Sequence, residues 1–438
     1  MPKSTFTRTL PVVGVAAALA VAGCSGGGSG SAATSGTVQG AITYSFWGSP
    51  ARAEKVNKVI GLYQQETPGV TVTGEVSDYN AYIEKMTVKA AGGGLACAIG
   101  TQSTFFAPYA QKDVLLPLDD LIASKAIDVA NIPKEVLAAG QIDGKQYLMP
   151  TGTFVRLAAY NVDMVKAAGA PAPTDDMTWE QYAAWLKQVQ AGLPKGKYAS
   201  EIEGSNMFSF SSWVIGHGQQ MFKDNKLGFD KALMAQWFQY WLDLTAAGVT
   251  VPASMIPDQS LALEQTPLAK GVTAAGTRDI PQLFVTEKAL NGAKLGTSVK
   301  AVSIPSQDPT KSANIVGSNG ISIPKSCDNP ATAASWLNYF TNDKDAALAF
   351  QSDNGILTNT ANQEALLADP ATPAGVKQNV TILRGLTDKK DLTTMEYPAG
   401  LSTLTTELTR LYQQVAFGQT TVDAAVDAFF NKAEQVIK

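Results

Sequence analysis

Few residues in this chain are of types that commonly carry chemistry. Histidine occurs once, as His217 between Gly216 and Gly218, so a multi-histidine metal centre is excluded. A Ser-His-Asp or Cys-His mechanism would have to run through that one imidazole. No HExxH, GxSxG or CxxC accompanies it, and a loop histidine without partners is the simpler assignment. The acids are spread, and spacing singles out no pair as the two carboxylates of a glycoside hydrolase. The run Gly26-Gly27-Gly28-Ser29-Gly30 would cradle a phosphate only with a strand before it and Gly-Lys-Ser/Thr after it, and neither is there. Three cysteines remain, Cys24, Cys97 and Cys327.

The first of these closes an address. Lys3 and Arg8 give a positive start, residues 10–22 are small and aliphatic, and Val21-Ala22-Gly23-Cys24 follows, the layout of a secretory signal. The end resembles a bacterial lipobox, in which a peptidase cuts before the cysteine and the thiol is diacylated; the plainer alternative is an ordinary signal cleaved nearby. Either places the protein outside the cytoplasmic membrane. Loss of residues 1–23 removes two bases and no acid, taking the formal charge from −4 to −6. Residues 25–40 are almost wholly Gly, Ser, Ala and Thr, a flexible tether above a lipid anchor.

A length of 438 residues favours two lobes over one. Hydrophobic residues at 45% and charged residues at 16% are globular proportions. With a pI near 5.3 and no Lys/Arg cluster, nucleic-acid binding is disfavoured. Ile42, Tyr44 and Phe46 alternate as a strand ending at Trp47-Gly48, and Ser49-Pro50 caps a helix whose face is Val56, Ile60 and Tyr63. Thr67-Pro68-Gly69 stops it before a strand with Val70, Val72 and Val76. A helix over about 80–91 carries Ile83 and Met86, Gly92-Gly93-Gly94 ends it, and 95–100 reads as a third strand. Later come a strand over 153–160, a helix opened by Thr178 and Gln181 with Tyr182, Trp185 and Val189 on its face, and a helix over 231–247. Short strands over 301–305 and 320–324, a helix over 331–341 and closing helices over 401–417 and 421–436 complete the pattern. Alternating strands and helices predict an α/β fold with a mostly parallel, doubly covered sheet. Past the signal no stretch of 18 apolar residues and no short repeat or heptad run is found.

Several segments, in order, are similar to one family. They are ITYSFWG (42–48), TPGVTV (67–72), Asp78-Tyr79 before a helix ending in three glycines, LLPLDD (115–120), DGKQYLMP (143–150), Tyr160-Asn161, TWE (178–180), AVSIP (301–305) and FGQTT (417–421). Behind a lipobox, this series resembles the lipoprotein solute-binding proteins of ABC importers, in the large sugar-binding class that includes maltodextrin-binding proteins. Two departures stand out. Leu95-Ala96-Cys97-Ala98 occupies the place where the family commonly has Ala-Pro-Asp-Val, and Arg278-Asp279-Ile280-Pro281 lacks the tryptophan that sugar binders often carry there.

The resemblance implies a two-lobe periplasmic-binding-protein-like α/β fold with a hinge and an inter-lobe ligand cleft. It implies a first lobe of 41–150 plus about 305–342 and a second of 151–304 plus about 343–438. A polyol ligand calls for aromatic faces and planar hydrogen-bonding groups beyond the strand ends. On that basis the expected ligand-binding residues are Trp47, Tyr79, Gln102, Trp213, Arg278, Asp279, Asn319 and Tyr397, whereas Trp179, Trp185, Trp237, Trp241 and Trp336 are assigned to cores. Cys97 and Cys327 would both lie in the first lobe, where an extracytoplasmic compartment permits a disulfide. The implied function is non-enzymatic capture of a carbohydrate, an oligosaccharide, for an ABC permease, by a monomer anchored through Cys24 and needing no cofactor or metal. The alternative from another class is a secreted carbohydrate-active hydrolase.

Overall fold

A computed structural model describes residues 36–257, 262–296, 298–308 and 310–437. The signal, Cys24 and most of the tether lie outside the described residues. The first lobe starts as the sequence pattern predicts: β1 (Gly40–Trp47), α1 (Pro50–Glu66), β2 (Val70–Ser77), α2 (Tyr79–Gly92) and β3 (Ala98–Gln102). Ser49 accepts from the Arg52 amide at the start of α1, and Val56, Val59, Ile60 and Tyr63 form its buried face. Third in order, β3 starts three residues later than expected, after Cys97. That residue is bonded to Cys327 with the Cα atoms 4.6 Å apart, so the bridge ties the start of β3 to the loop before helix Pro330–Asn342.

The sheet order is β2, β1, β3, the return strand Val316–Ser322, the crossing strand Met149–Asn161, then Thr273–Asp279 and Tyr198–Ser200. The crossing strand is shared. Its residues 149–155 pair with the return strand and its residues 156–160 with Thr273–Asp279, while Val299–Val302 and Ile356–Leu357 also pair along it. A 13-residue strand spans about 43 Å, long enough to enter both lobes.

Two large cores flank this strand. One gathers Ile42, Tyr44, Phe46, Val56, Tyr63 and Trp336, and the other Trp179, Trp185, Leu186, Trp237, Trp241, Leu408 and Tyr412. The five tryptophans assigned to cores are thus buried. Thr178 and Gln181 form the expected capping box. Helix Lys231–Ala246 buries Leu233, Trp237, Trp241 and Leu244 on one face, as its spacing predicts.

The expected lobe boundary at 342 needs correction. Ala346, Ala347, Phe350 and Leu366, from helices Lys344–Phe350 and Thr360–Ala368, bury their side chains with the first-lobe core, and Lys344–Phe350 packs on α1. The closing helices Leu401–Ala416 and Val422–Val436 pack in the second lobe.

Strand Thr273–Asp279 reads in sequence as a run of small residues, and the structure gives the reason. A Cβ on Gly276 would lie 2.3 Å from Glu201 Oε2, because a buried carboxylate crosses the strand there.

Candidate functional site

Strand direction decides where a ligand can sit. β1 is parallel to β2 and β3, and the return strand is antiparallel to both β3 and the crossing strand. The crossing strand therefore leaves the first lobe in the direction in which β1, β2 and β3 run. Beyond it, Thr273–Asp279 is antiparallel to the crossing strand and Tyr198–Ser200 is parallel to Thr273–Asp279, so both run back. The carboxyl ends of the two strand sets consequently face each other across the junction, the position where open α/β sheets bind ligands. Register sets the spacing. Gln102 and Gly152 both align with Asn319, and Arg156 aligns with Asp279; the four residues from Gly152 to Arg156 span about 13 Å.

On the first-lobe side, Trp47 ends β1, Tyr79 opens α2, and Phe105 follows β3. Their rings meet edge to face, with Trp47 5.8 Å from both Tyr79 and Phe105. Tyr79 is 45% exposed, whereas Trp47 is buried beneath it. Gln102 Oε1 accepts from Thr104 Oγ1 at 2.8 Å and lies 3.5 Å from the Tyr79 hydroxyl. Asn319 Nδ2 donates to the Asn354 carbonyl at 3.0 Å. Gly152 admits that carbonyl, since a Cβ there would lie 1.9 Å from it. The neighbouring Asp353 anchors the turn: Arg52 donates to its carboxylate at 2.7 Å and to its carbonyl at 3.0 Å, and Lys55 donates to the carboxylate at 2.9 Å. Arg52 also donates to the Trp47 carbonyl at 3.1 Å, so one guanidinium ties the end of β1 to this turn. Burial would raise the Asp353 carboxyl, but Arg52 and Lys55 hold it below its ordinary value.

On the second-lobe side Arg156 makes a forked pair with Asp279, both bonds 3.1 Å. Its guanidinium carbon lies 5.5 Å over the Phe208 ring, and Phe208 meets Tyr397 edge to face at 6.3 Å. Burial, with the Asp279 charge beside it, pushes the Tyr397 phenol up, so it stays protonated. Asp279 also caps helix Ile280–Gly292, in a capping box with Gln282. Arg278 and Asp279, both expected as ligand-binding residues, take different partners because successive side chains on a strand point to opposite faces. Arg278 is buried and forks onto Glu201 at 2.8 and 3.0 Å, with a further bond to Thr266. It is engaged inside the lobe. Glu203 accepts from the Thr277 amide and hydroxyl, Ser209 and Asn206, all within 3.0 Å.

Three cavities share linings along this face. One of about 540 Å³ runs between the lobes, bounded by the hairpin turn at Asp143, the hairpin turn at Asp224 and Asn225, and residues 393–398. A second of about 30 Å³ shares Tyr397 with it and is lined by Phe154, Arg156, Phe208, Ser212 and Asp279. A third of about 390 Å³ shares Arg156 and Phe208 and extends past Glu203, Ser205 and Asn206. In the first, burial and the Asp143 charge hold the Glu396 carboxyl above its ordinary value, against a hydrogen bond from the Asp143 amide.

Trp213 does not belong to this face. It lies in helix Met207–Gly216, 5% exposed, packed among Trp179, Trp237, Tyr240 and His217, and its Nε1 donates to the Leu233 carbonyl. Ring packing on every side leaves it no face for a ligand. His217 caps the same helix, its Nδ1 2.7 Å from the Trp213 carbonyl oxygen. The candidate site also includes Phe105, Arg156, Glu203 and Phe208, which the sequence pattern does not name. Phe105 falls under the same rule that selected Gln102, while Arg156 sits within a strand, where that rule does not look.

The chain matches the family described as bacterial extracellular solute-binding protein over residues 58–398. A putative binding protein of Brucella abortus is 23% identical over 237 residues, 53% of this chain and 51% of its own. The chain thus spans about half the length of the curated relatives it matches. Among solved structures, an extracellular solute-binding protein family 1 member from Alicyclobacillus acidocaldarius is 21% identical with TM-score 0.73, over 91% of this chain and 99% of that one. The sugar-binding protein MalE from Xanthomonas citri is 17% identical with TM-score 0.74, over 91% and 97%. An ABC substrate-binding protein from Listeria monocytogenes in complex with cycloalternan is 18% identical with TM-score 0.71, over 91% and 98%. With the facing strand ends and shared crossing strand already described, the match over 58–398 places this chain in the bacterial extracellular solute-binding protein family.

Proposed function

We propose that the protein captures a carbohydrate, an oligosaccharide, outside the cell and delivers it to an ABC permease, working as a monomer anchored through a lipid on Cys24. The observation that carries this reading is the pairing of aromatic and planar polar groups at both facing strand ends. Tyr79, against the buried Trp47, stands with Gln102 on one side, and Phe208, against the buried Tyr397, stands with Arg156 on the other. Sugars present apolar C–H faces rimmed by hydroxyls, and rings beside fixed donors and acceptors suit both. Of the similar structures, that from Xanthomonas citri is described as a sugar-binding protein and that from Listeria monocytogenes is in complex with cycloalternan. Cavities of about 540 and 390 Å³, the first sharing Tyr397 and the second Arg156 and Phe208 with a small cavity of about 30 Å³, offer room for more than one ring.

Binding, rather than turnover, is the proposed activity. The carboxylates near Arg156 are already engaged: Glu201 by Arg278, Asp279 by Arg156, and Glu203 by four donors. The test is thermal melting of the purified protein across an oligosaccharide panel, with chromatography of the same mixtures. A ligand that raises the melting temperature and is recovered intact supports capture; appearance of shorter products indicates the hydrolase.

A further inference from the structure

Charge along the cleft wall narrows the ligand class, on the reading that the cleft takes a carbohydrate. The three cavities, of which the small one shares lining residues with each of the others, are lined by three cations, Arg156, Arg278 and Lys223, and by six acids, Asp143, Glu201, Glu203, Asp224, Asp279 and Glu396. The two guanidiniums, which would otherwise clamp a carboxylate in a fork, are spent inside the protein. Arg278 forks onto Glu201, and Arg156 forks onto Asp279. On the first lobe, Arg52 and Lys55 converge on Asp353. Of these pairs, Arg156–Asp279 is the one at the junction of the cavities, with 19% of each side chain exposed. An incoming carboxylate would meet Asp279 and Glu203 there with no uncommitted cation among the described lining groups but Lys223.

We propose that the site selects uncharged oligosaccharides and rejects uronate-containing ones, and that Asp279 sets this choice by neutralising Arg156. Asp279 is a specificity-determining residue whose action runs through Arg156. Removing its charge while keeping its shape turns Arg156 into a free fork in the cleft wall. Asn retains the helix cap that Asp279 supplies, since both residues are favoured at that position, so Asp279→Asn keeps the start of helix Ile280–Gly292.

The experiment is titration calorimetry of wild type and Asp279→Asn with neutral trisaccharides (maltotriose, cellotriose, xylotriose, mannotriose) and with trigalacturonate. Wild type binds at least one neutral trisaccharide and binds trigalacturonate more weakly. In Asp279→Asn the ratio of neutral to acidic affinity falls by about tenfold, the change equivalent to about 1.4 kcal/mol, as one like charge beside the ligand carboxylate is removed. If the variant does not fold, wild type still decides the matter. Its trigalacturonate affinity rises with added salt as repulsion is screened, and its neutral affinity does not. Trigalacturonate bound as tightly as the best neutral sugar, or an unchanged ratio in a folded Asp279→Asn, overturns the charge selection and leaves carbohydrate capture standing. Binding of neither class overturns both.

Discussion

Tyr79 and Trp213 are both expected from sequence as ligand-binding residues, and the structure gives them different surroundings. With 45% of its surface exposed, Tyr79 offers a ligand about 90 Å² of an aromatic side chain that can bury roughly 200 Å². At about 25 cal/mol per Å² this is about 2 kcal/mol, or about thirtyfold in affinity. Replacing a half-exposed ring costs the fold less, within about 1 kcal/mol. Trp213 is 5% exposed among four rings, so Trp213→Ala removes core packing worth about 3–5 kcal/mol. The assay pairs calorimetric titration of the best saccharide with thermal melting for Tyr79→Ala, Trp213→Ala and Trp213→Phe. Tyr79→Ala is expected to weaken binding with little change in melting temperature. Both Trp213 variants are expected to melt earlier, with Trp213→Phe keeping its affinity. An unchanged affinity in Tyr79→Ala, or a Trp213→Phe that melts as wild type yet binds tenfold more weakly, would refute the assignment.

Replacing Cys97 and Cys327 together with Ala opens a closure of 230 positions and is expected to cost up to about 5 kcal/mol by the chain-entropy account; denaturant titration reads it, and an unchanged midpoint would contradict the bridge. Glu396 has a raised pKa through burial and Asp143, so its ionised form is disfavoured in the fold and the penalty is present above that raised value and relieved as pH falls through it. Glu396→Gln is therefore expected to raise the melting temperature at pH 7 to 8, with the gain shrinking toward about pH 4, the ordinary glutamate range; a gain that grew on acidification would reverse the sign and defeat the argument. On the proposal that Cys24 carries a lipid anchor, Cys24→Ser in a bacterial host is expected to lose detergent partitioning, and partitioning that persists would remove the lipobox reading.

The elements were readable where one periodicity dominates. Helix Lys231–Ala246 shows Leu233, Trp237, Trp241 and Leu244 on a single face in both sequence and structure. Thr273–Asp279 was not recognisable as a strand because its small residues accommodate the Glu201 side chain, brought there by another strand. Helix Met207–Gly216 was equally opaque, since it is buried nearly all round and has no polar face to set a period. Among candidate site residues, the strand-end rule picks out Trp47, Tyr79 and Gln102 because their position depends on local order along the chain. Partners are another matter. Asp279 meets Arg156 across 123 positions, and Arg278 meets Glu201 across 77, distances over which neither spacing nor composition carries information. The lobe boundary failed for the same reason: residues 344–350 return to α1 through burial of Ala346, Ala347 and Phe350, which a helical pattern does not reveal.

The central claim is that two lobes joined by strand Met149–Asn161 close over a carbohydrate held between their facing strand ends. Small-angle scattering of the purified protein, with and without a saturating amount of the saccharide that most raises its melting temperature, tests it most directly. The account predicts a smaller radius of gyration in the bound state, as hinge closure narrows the cavity between the turns at Asp143 and Asp224. A radius unchanged at saturation would contradict it.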